Sequence, residues 1–241
     1  MKKHIPNTIT LCNLSCGCFG IVSLLEKSGS YTLSFYLIVL ALIFDFLDGF
    51  IARILKVSSP IGKELDSLAD MVTFGVFPSV IMYRFMTDIA CQSEQCTGLL
   101  PKDYFAYSAF IIALFSALRL AKFNVDTRQE ESFIGLPTPA NAIFIASLPL
   151  IYFGHTTQIS SLLNPPLLLV TTLVASYALV AELPLFSLKV KKFSIKEYPY
   201  QFTFILLTIL LASVYQVVAI PFIIITYLIL SCLKLFVKRK E

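Results

Sequence analysis

An all-α bundle of about eight transmembrane helices is the fold that the sequence predicts, and three observations carry the prediction. Of 241 residues, 57% are hydrophobic and only 14% charged, with a mean hydropathy of +0.80. A soluble domain sits nearer about 45–50% apolar and about 25% charged. Apolar runs of bilayer-spanning length recur along the whole chain, which leaves no stretch for a separate soluble domain. Lysine and arginine also fall on alternate connections with a strong bias. The expectation is one polytopic domain over residues 1–241.

Taken in order, the first apolar segment covers about Leu11–Leu25 and is rich in small residues. Its polar lead, MKKHIPNT, is followed by no small-residue cleavage site, so this helix is expected to be retained. The second, about Tyr31–Leu55, carries Asp45 and Asp48 in its latter half. The third, about Leu65–Phe85, opens on Asp66 and Asp70 and contains Gly75 and Pro78, where a kink is expected. Further segments cover about Tyr104–Phe123, Ala140–Phe153, Leu167–Leu188, Phe202–Val218 and Pro221–Phe236.

With eight spans both termini share one face, and that face holds sixteen of the 19 basic residues, leaving Lys27, Arg84 and Lys102 opposite. The positive-inside bias makes the richer face cytoplasmic. It places the 54–66 connection and four aspartates near the cytoplasmic surface of the cell membrane, and Cys91 and Cys96 outside. Those two cysteines share a polar loop and are either a small-loop disulfide, where the compartment is oxidising, or two free thiols. Cys12, Cys16, Cys18 and Cys232 lie in apolar segments, and His4 and His155 stand apart from each other and from the aspartates, so no zinc site is expected. The basic runs at Lys189–Lys196 and Lys238–Lys240 fit topology and attraction to anionic headgroups. Nothing else suggests nucleic acid.

The chemistry concentrates between Phe44 and Asp70, FDFLDGFIARILKVSSPIGKELDSLAD. On a helix, residues three and four apart share a face. Asp45, Asp48, Gly49 and Ala52 therefore form one stripe, with Arg53 beside it, and Asp66 and Asp70 share a face on the next helix. Ser58, Ser59, Pro60 and Gly62 suit a turn between them. Carboxylates in such apolar helices are costly and are kept for function. Four together repel strongly in a low dielectric, and two hard divalent cations, Mg²⁺ or Mn²⁺, about 4 Å apart are the natural remedy. The alternative is pairing with Arg53, Arg119 or Lys122. Gly49 and Ala52 leave room for a ligand, and Arg53 suits a phosphate.

The pattern Asp45-x2-Asp48-Gly49-x2-Ala52-Arg53-x8-Gly62-x3-Asp66-x3-Asp70 matches every fixed position of the CDP-alcohol phosphotransferase signature, so the chain resembles that family. The resemblance implies an integral membrane enzyme with a six-helix core that passes a phosphatidyl or similar group from a CDP-linked donor to an alcohol and releases CMP. It implies metal binding by Asp45, Asp48, Asp66 and Asp70, a general-base role for Asp70, and donor binding by Gly49, Ala52, Arg53, Ser59 and Gly62. It also implies a homodimer.

The acceptor is read from other stretches. Arg119-Leu-Ala-Lys122-Phe-Asn124 and Phe133-Ile-Gly135-Leu-Pro137-Thr-Pro139-Ala-Asn141-Ala resemble the RLARFN and GLPxPxAA patterns of membrane-embedded bacterial and archaeal phosphatidylserine synthases, with Lys122 in place of arginine and Asn141 in place of a small residue. The opening IPNTITLCNLSCG and Glu182-Leu-Pro-Leu-Phe-Ser-Leu-Lys, read as the tail of the sixth helix, extend the likeness over most of the chain. The acceptor implied is L-serine and the donor CDP-diacylglycerol. Arg119 and Lys122 are candidates for the serine carboxylate; Asn124, Asn141 or Glu182 for its ammonium. Against these stand positive-inside snorkelling for Arg119 and Lys122, and an ion pair for Glu182. One rival reading is a synthase acting on glycerol 3-phosphate or inositol phosphate, whose acceptor phosphate calls for a denser basic pocket. A more remote rival is a divalent-metal transporter, disfavoured by the clustering of all four acids at one membrane face.

Overall fold

A computed structural model describes residues 4–26, 29–57, 59–92, 104–125, 133–154, 162–185 and 199–238. The chain begins with α1 (His4–Leu25) and α2 (Tyr31–Ile54), which pack along each other. Ser30 caps α2 by accepting the Leu33 N–H at 3.2 Å. The far end of α2 closes in a Schellman turn, with Lys56 in the left-handed region at φ 50° and Val57 N–H donating to Ala52 O at 3.0 Å. Ser59 and Pro60 then start α3 (Pro60–Asp70), an N-cap followed by proline in the first turn.

From α3 the helix runs on without a break through a π turn, Met71–Val76, into α4 (Phe77–Gln92). Helix is thus present five residues earlier than hydropathy alone indicates. The expected irregularity at Gly75 and Pro78 takes the form of this π turn, in which Phe77 N–H reaches back to Val72 O. Pro78 has no N–H for Phe74 O and its ring crowds that carbonyl, and the wider turn relieves both. α5 (Tyr104–Tyr107) leads through a short 3₁₀ turn into α6 (Ile111–Val125), followed by α7 (Thr138–Gly154) and α8 (Pro165–Val180). Helix eight stops at Val180, so Glu182-Leu-Pro-Leu is not a helical tail. Pro184–Leu185 instead pairs antiparallel with Phe133–Ile134. Pro184 cannot continue a helical ladder, and the carbonyls of Ala178 and Leu183 are taken by Leu136 and Gly135.

The last two helices are α9 (Pro199–Tyr215) and α10 (Ala219–Lys238). They form a hairpin turning at Gln216, φ 49°. The rings of Phe204 and Tyr227 lie 5.3 Å apart, whereas in one straight helix they would be about 34 Å apart. Among the described residues, five stretches are long and apolar enough to cross a membrane: His4–Leu25, Tyr31–Ile54, Pro60–Cys91, Phe105–Val125 and Pro199–Lys234, the last being the folded hairpin. α7 and α8 are shorter, about 24–26 Å. With them the described residues supply eight rods, in line with the expected span count, and the chain is an integral membrane protein.

Two apolar clusters hold the bundle. One joins Ile38 and Ala41 of α2 to Phe74, Phe77, Ile81, Ala142 and Ala146. The other joins Phe85 and Met86 to Ile112, Ile145, Leu148 and Leu168. At the end of α1 remote from the aspartates, Tyr31 donates to Asp88 at 2.6 Å, and Arg84 lies 3.5 Å from Asp88 while capping the carbonyls of Leu24 and Glu26. Cys91 is disulfide-bonded, whereas Cys12, Cys16, Cys18 and Cys232 are free. Cys96, His155 and the basic run 189–196 lie outside the described residues.

Candidate active site

Helical spacing puts Asp45 and Asp48 on one face of α2 and Asp66 and Asp70 on one face of α3, and those faces meet. Asp45, Asp48 and Asp66 each present an oxygen, and the three lie within 4.8 Å of one another. Asp70, one turn on from Asp66, lies beside this trio, in electrostatic contact with Asp45, Asp66 and Asp48. All four predicted ligands therefore converge. None forms a salt bridge among the described residues. Arg53 does not neutralise them, because its Nε donates to Gly49 O of its own helix at 3.0 Å. A cluster of oxygen donors left without a protein cation fits a hard divalent metal ion.

Beside the aspartates opens a cavity of about 250 Å³ lined by Pro6, Asn7, Thr10, Asp48, Gly49, Ala52, Val57, Ser59, Gly62, Lys63 and Asp66. A Cβ added at Gly49 would meet no atom within 4 Å, so this glycine keeps the cavity wall open. Gly62 has another reason. A Cβ there would stand 3.0 Å from Ser59 Oγ and 3.2 Å from Asn7 Oδ1, so glycine lets the start of α3 approach α1. Ser59 serves two ends, capping α3 through the Gly62 N–H at 3.0 Å and lining the cavity. Arg53 sits with Ala52, Lys56 and Val57 on an adjoining depression.

The third wall is α1. Thr10 donates to Asp48 Oδ2 at 2.6 Å, and Asn13 Nδ2 donates to Asp70 Oδ1 at 3.1 Å. Lys63 also lines the cavity. In the sequence Lys63 counts only among the topology-setting charges, and Asn7, Thr10 and Asn13 are not among the candidate site residues. Their signal was available as three polar residues at intervals of three in an apolar helix, which share a face.

The five candidates for the acceptor site take up different environments. Arg119 is 7% exposed and spends one N–H on Leu179 O at 3.1 Å. Lys122 is exposed. Asn124 points back to α3, donating to Ser67 Oγ at 2.8 Å, while its carbonyl accepts from Lys63 Nζ at 3.2 Å. Asn141 is fully buried, and among the described residues both its side-chain polar atoms lack a partner, as do Ser116 Oγ, Ser176 Oγ and Asn13 Oδ1. Glu182 is exposed. Gly135, φ 75°, lies close under Leu179 O, Ala181 O and Arg119 Nη1, an approach that no side chain would permit.

Comparison with known proteins places this geometry. A family model described as CDP-alcohol phosphatidyltransferase matches residues 3–177, which takes in every residue of the cavity and ends before α9 and α10. A CDP-diacylglycerol–serine O-phosphatidyltransferase of Bacillus subtilis (strain 168) is 34% identical over 181 residues, 75% of this chain and 89% of that protein. The protein of the same name from Helicobacter pylori (strain J99) is 37% identical over 142 residues, 58% of this chain and 54% of its own length. An archaetidylserine synthase of Methanothermobacter thermautotrophicus is 34% identical over 153 residues, 62% of this chain and 59% of that protein. The chain thus spans little more than half of the last two relatives.

Proposed function

The chain belongs to the CDP-alcohol phosphatidyltransferase family, and on that premise we propose that it transfers the phosphatidyl group of CDP-diacylglycerol to the hydroxyl of L-serine, releasing CMP. The observation that carries this reading is the cluster of Asp45, Asp48 and Asp66 with Asp70 beside it, none salt-bridged among the described residues, from which Asp48 and Asp66 line a cavity that Gly49 leaves open. The names of the relatives support serine as acceptor. A pair of divalent cations held by Asp45, Asp48, Asp66 and Asp70, Mg²⁺ or Mn²⁺, would neutralise the pyrophosphate and the departing CMP.

The chain's own groups do the rest. Gly49, Ala52, Ser59 and Gly62 shape the space for the CDP moiety, and Arg53 at its rim binds phosphate. Asp70 accepts the proton of the serine hydroxyl. The freed oxygen forms a bond to the phosphorus that carries diacylglycerol, and the bond from that phosphorus to CMP breaks. Arg119 and Lys122 receive the serine carboxylate, and Asn124 and Asn141 its ammonium. The orphaned atoms of Asn141, Ser116 and Ser176 support a polar acceptor near α6, α7 and α8, since each such buried atom costs about 1–3 kcal/mol until something binds it. Ser116 abuts the π turn that follows Asp70, its Cβ 3.1 Å from where a Cβ on Gly75 would stand. The site and both termini face the cytoplasm, where a nucleotide-activated lipid is available, and the protein acts as a homodimer.

The test is incorporation of labelled L-serine into lipid by protein in bilayer nanodiscs containing CDP-diacylglycerol. Label should enter lipid with Mg²⁺ or Mn²⁺ and cease with chelator. CMP release that proceeds equally without serine would count against the proposal.

A further inference from the structure

We infer that Thr10 and Asn13 are positioning residues for the metal-binding carboxylates, so that α1 acts as the outer shell of the site. The inference rests on the metal-binding reading above. Two contacts carry it. The Thr10 hydroxyl lies 2.6 Å from Asp48 Oδ2 and 3.1 Å from Pro6 O. It has one proton, and the shorter, charge-assisted contact takes it. The Asn13 amide donates to Asp70 Oδ1 at 3.1 Å, which fixes its orientation, because the reverse would set Asn13 Oδ1 against a carboxylate. Thr10 and Asn13 are 4% and 0% exposed, so both contacts are made out of bulk water.

The helix that presents them is itself held in place. Thr73 in the π turn donates to the Asn13 carbonyl at 3.1 Å. One and two turns further on, a Cβ at Gly17 would come within 2.9 Å of Thr73 Cα, and one at Gly20 within 2.0 Å of the Phe77 ring. Glycine at these positions lets α1 lie flush on the π turn, and that contact sets the height of residues 10 and 13 against the aspartates. Asp48 and Asp70 thus each have one oxygen engaged by α1 and a fixed orientation for the other. Fixing ligand orientation in this way typically changes metal affinity by about 10–100-fold.

The experiment titrates Mn²⁺ alone into protein in nanodiscs and reads bound ion from the loss of the free-ion electron paramagnetic resonance signal. Thr10→Val keeps the shape and removes the hydroxyl; Thr10→Ser restores it. Asn13→Leu is the parallel variant for Asp70. The expected result is a rise of about tenfold or more in the Mn²⁺ Kd for Thr10→Val and for Asn13→Leu, with Thr10→Ser within about threefold of the parent. Should Thr10→Val fail to accumulate in membranes, Asn13→Leu and Thr10→Ala are read in the same way. Wild-type affinity in the Thr10 and Asn13 variants, with binding lost in Asp48→Asn, would overturn the positioning inference alone. Unchanged binding in Asp48→Asn would overturn the metal-site reading beneath it.

Discussion

Replacing Gly17 with alanine should impair turnover although it removes no polar group. The added Cβ would lie 2.6 Å from Thr73 Oγ1, whereas ordinary contact begins at 3.4 Å. Relief by displacement requires α1 to withdraw from the π turn by roughly 0.8 Å, the difference between those distances. A shift of that size carries the Asn13–Asp70 contact from 3.1 Å to beyond about 3.5 Å, past hydrogen-bonding reach. Overpacking of this kind costs about 1–3 kcal/mol in stability, and misplacing a reacting group by about 1 Å can cost on the order of 100-fold in rate. The assay is kcat for CMP release beside thermal unfolding in the same nanodiscs. Gly154→Ala is the control, since a Cβ at Gly154 would meet nothing within 4 Å. Full turnover in Gly17→Ala would refute the claim that α1 positions Asp70.

The other substitutions separate roles within the site. Asp70→Asn keeps an acceptor for Asn13, so the protein should insert and fold normally while turnover falls at least about 100-fold; retained serine incorporation would remove Asp70 as base. Gly49→Ala should stabilise α2 by about 0.5–1 kcal/mol, through the lower conformational entropy of the unfolded chain, and yet raise the KM for CDP-diacylglycerol by narrowing the cavity. A melting temperature and a KM that move in those directions together would check it. Arg119→Ala should raise the KM for serine far more than that for CDP-diacylglycerol, and equal changes in steady-state kinetics would sink the assignment.

Hydropathy and charge bias made the rods legible because each helix has a lipid-facing side that an average detects. The aspartate spacing likewise fixes a shared face on α2 and on α3, because helical periodicity alone determines it. What escaped depends on contacts between distant residues. The polar face of α1 is diluted by its lipid face, so Thr10 and Asn13 disappear into a hydrophobic mean, and the start of α1 at His4 goes with them. The π turn arises where Pro78 meets the carbonyl of Phe74 and where Gly75 packs on Ser116. The pairing of Phe133–Ile134 with Pro184–Leu185 spans some fifty residues and ends α8 earlier than its apolar run. Lys63 reads as a topology charge in sequence and becomes a cavity residue only when α1, α2 and α3 are brought together.

The most direct measurement compares acceptors. CMP release from CDP-diacylglycerol is followed with Mg²⁺ or Mn²⁺ present and with L-serine, glycerol 3-phosphate or inositol phosphate supplied in turn. Release should depend on serine, yield phosphatidylserine in equal amount, and be absent with the two phosphorylated alcohols. Release driven by glycerol 3-phosphate or inositol phosphate, with serine inert, would contradict serine as the acceptor.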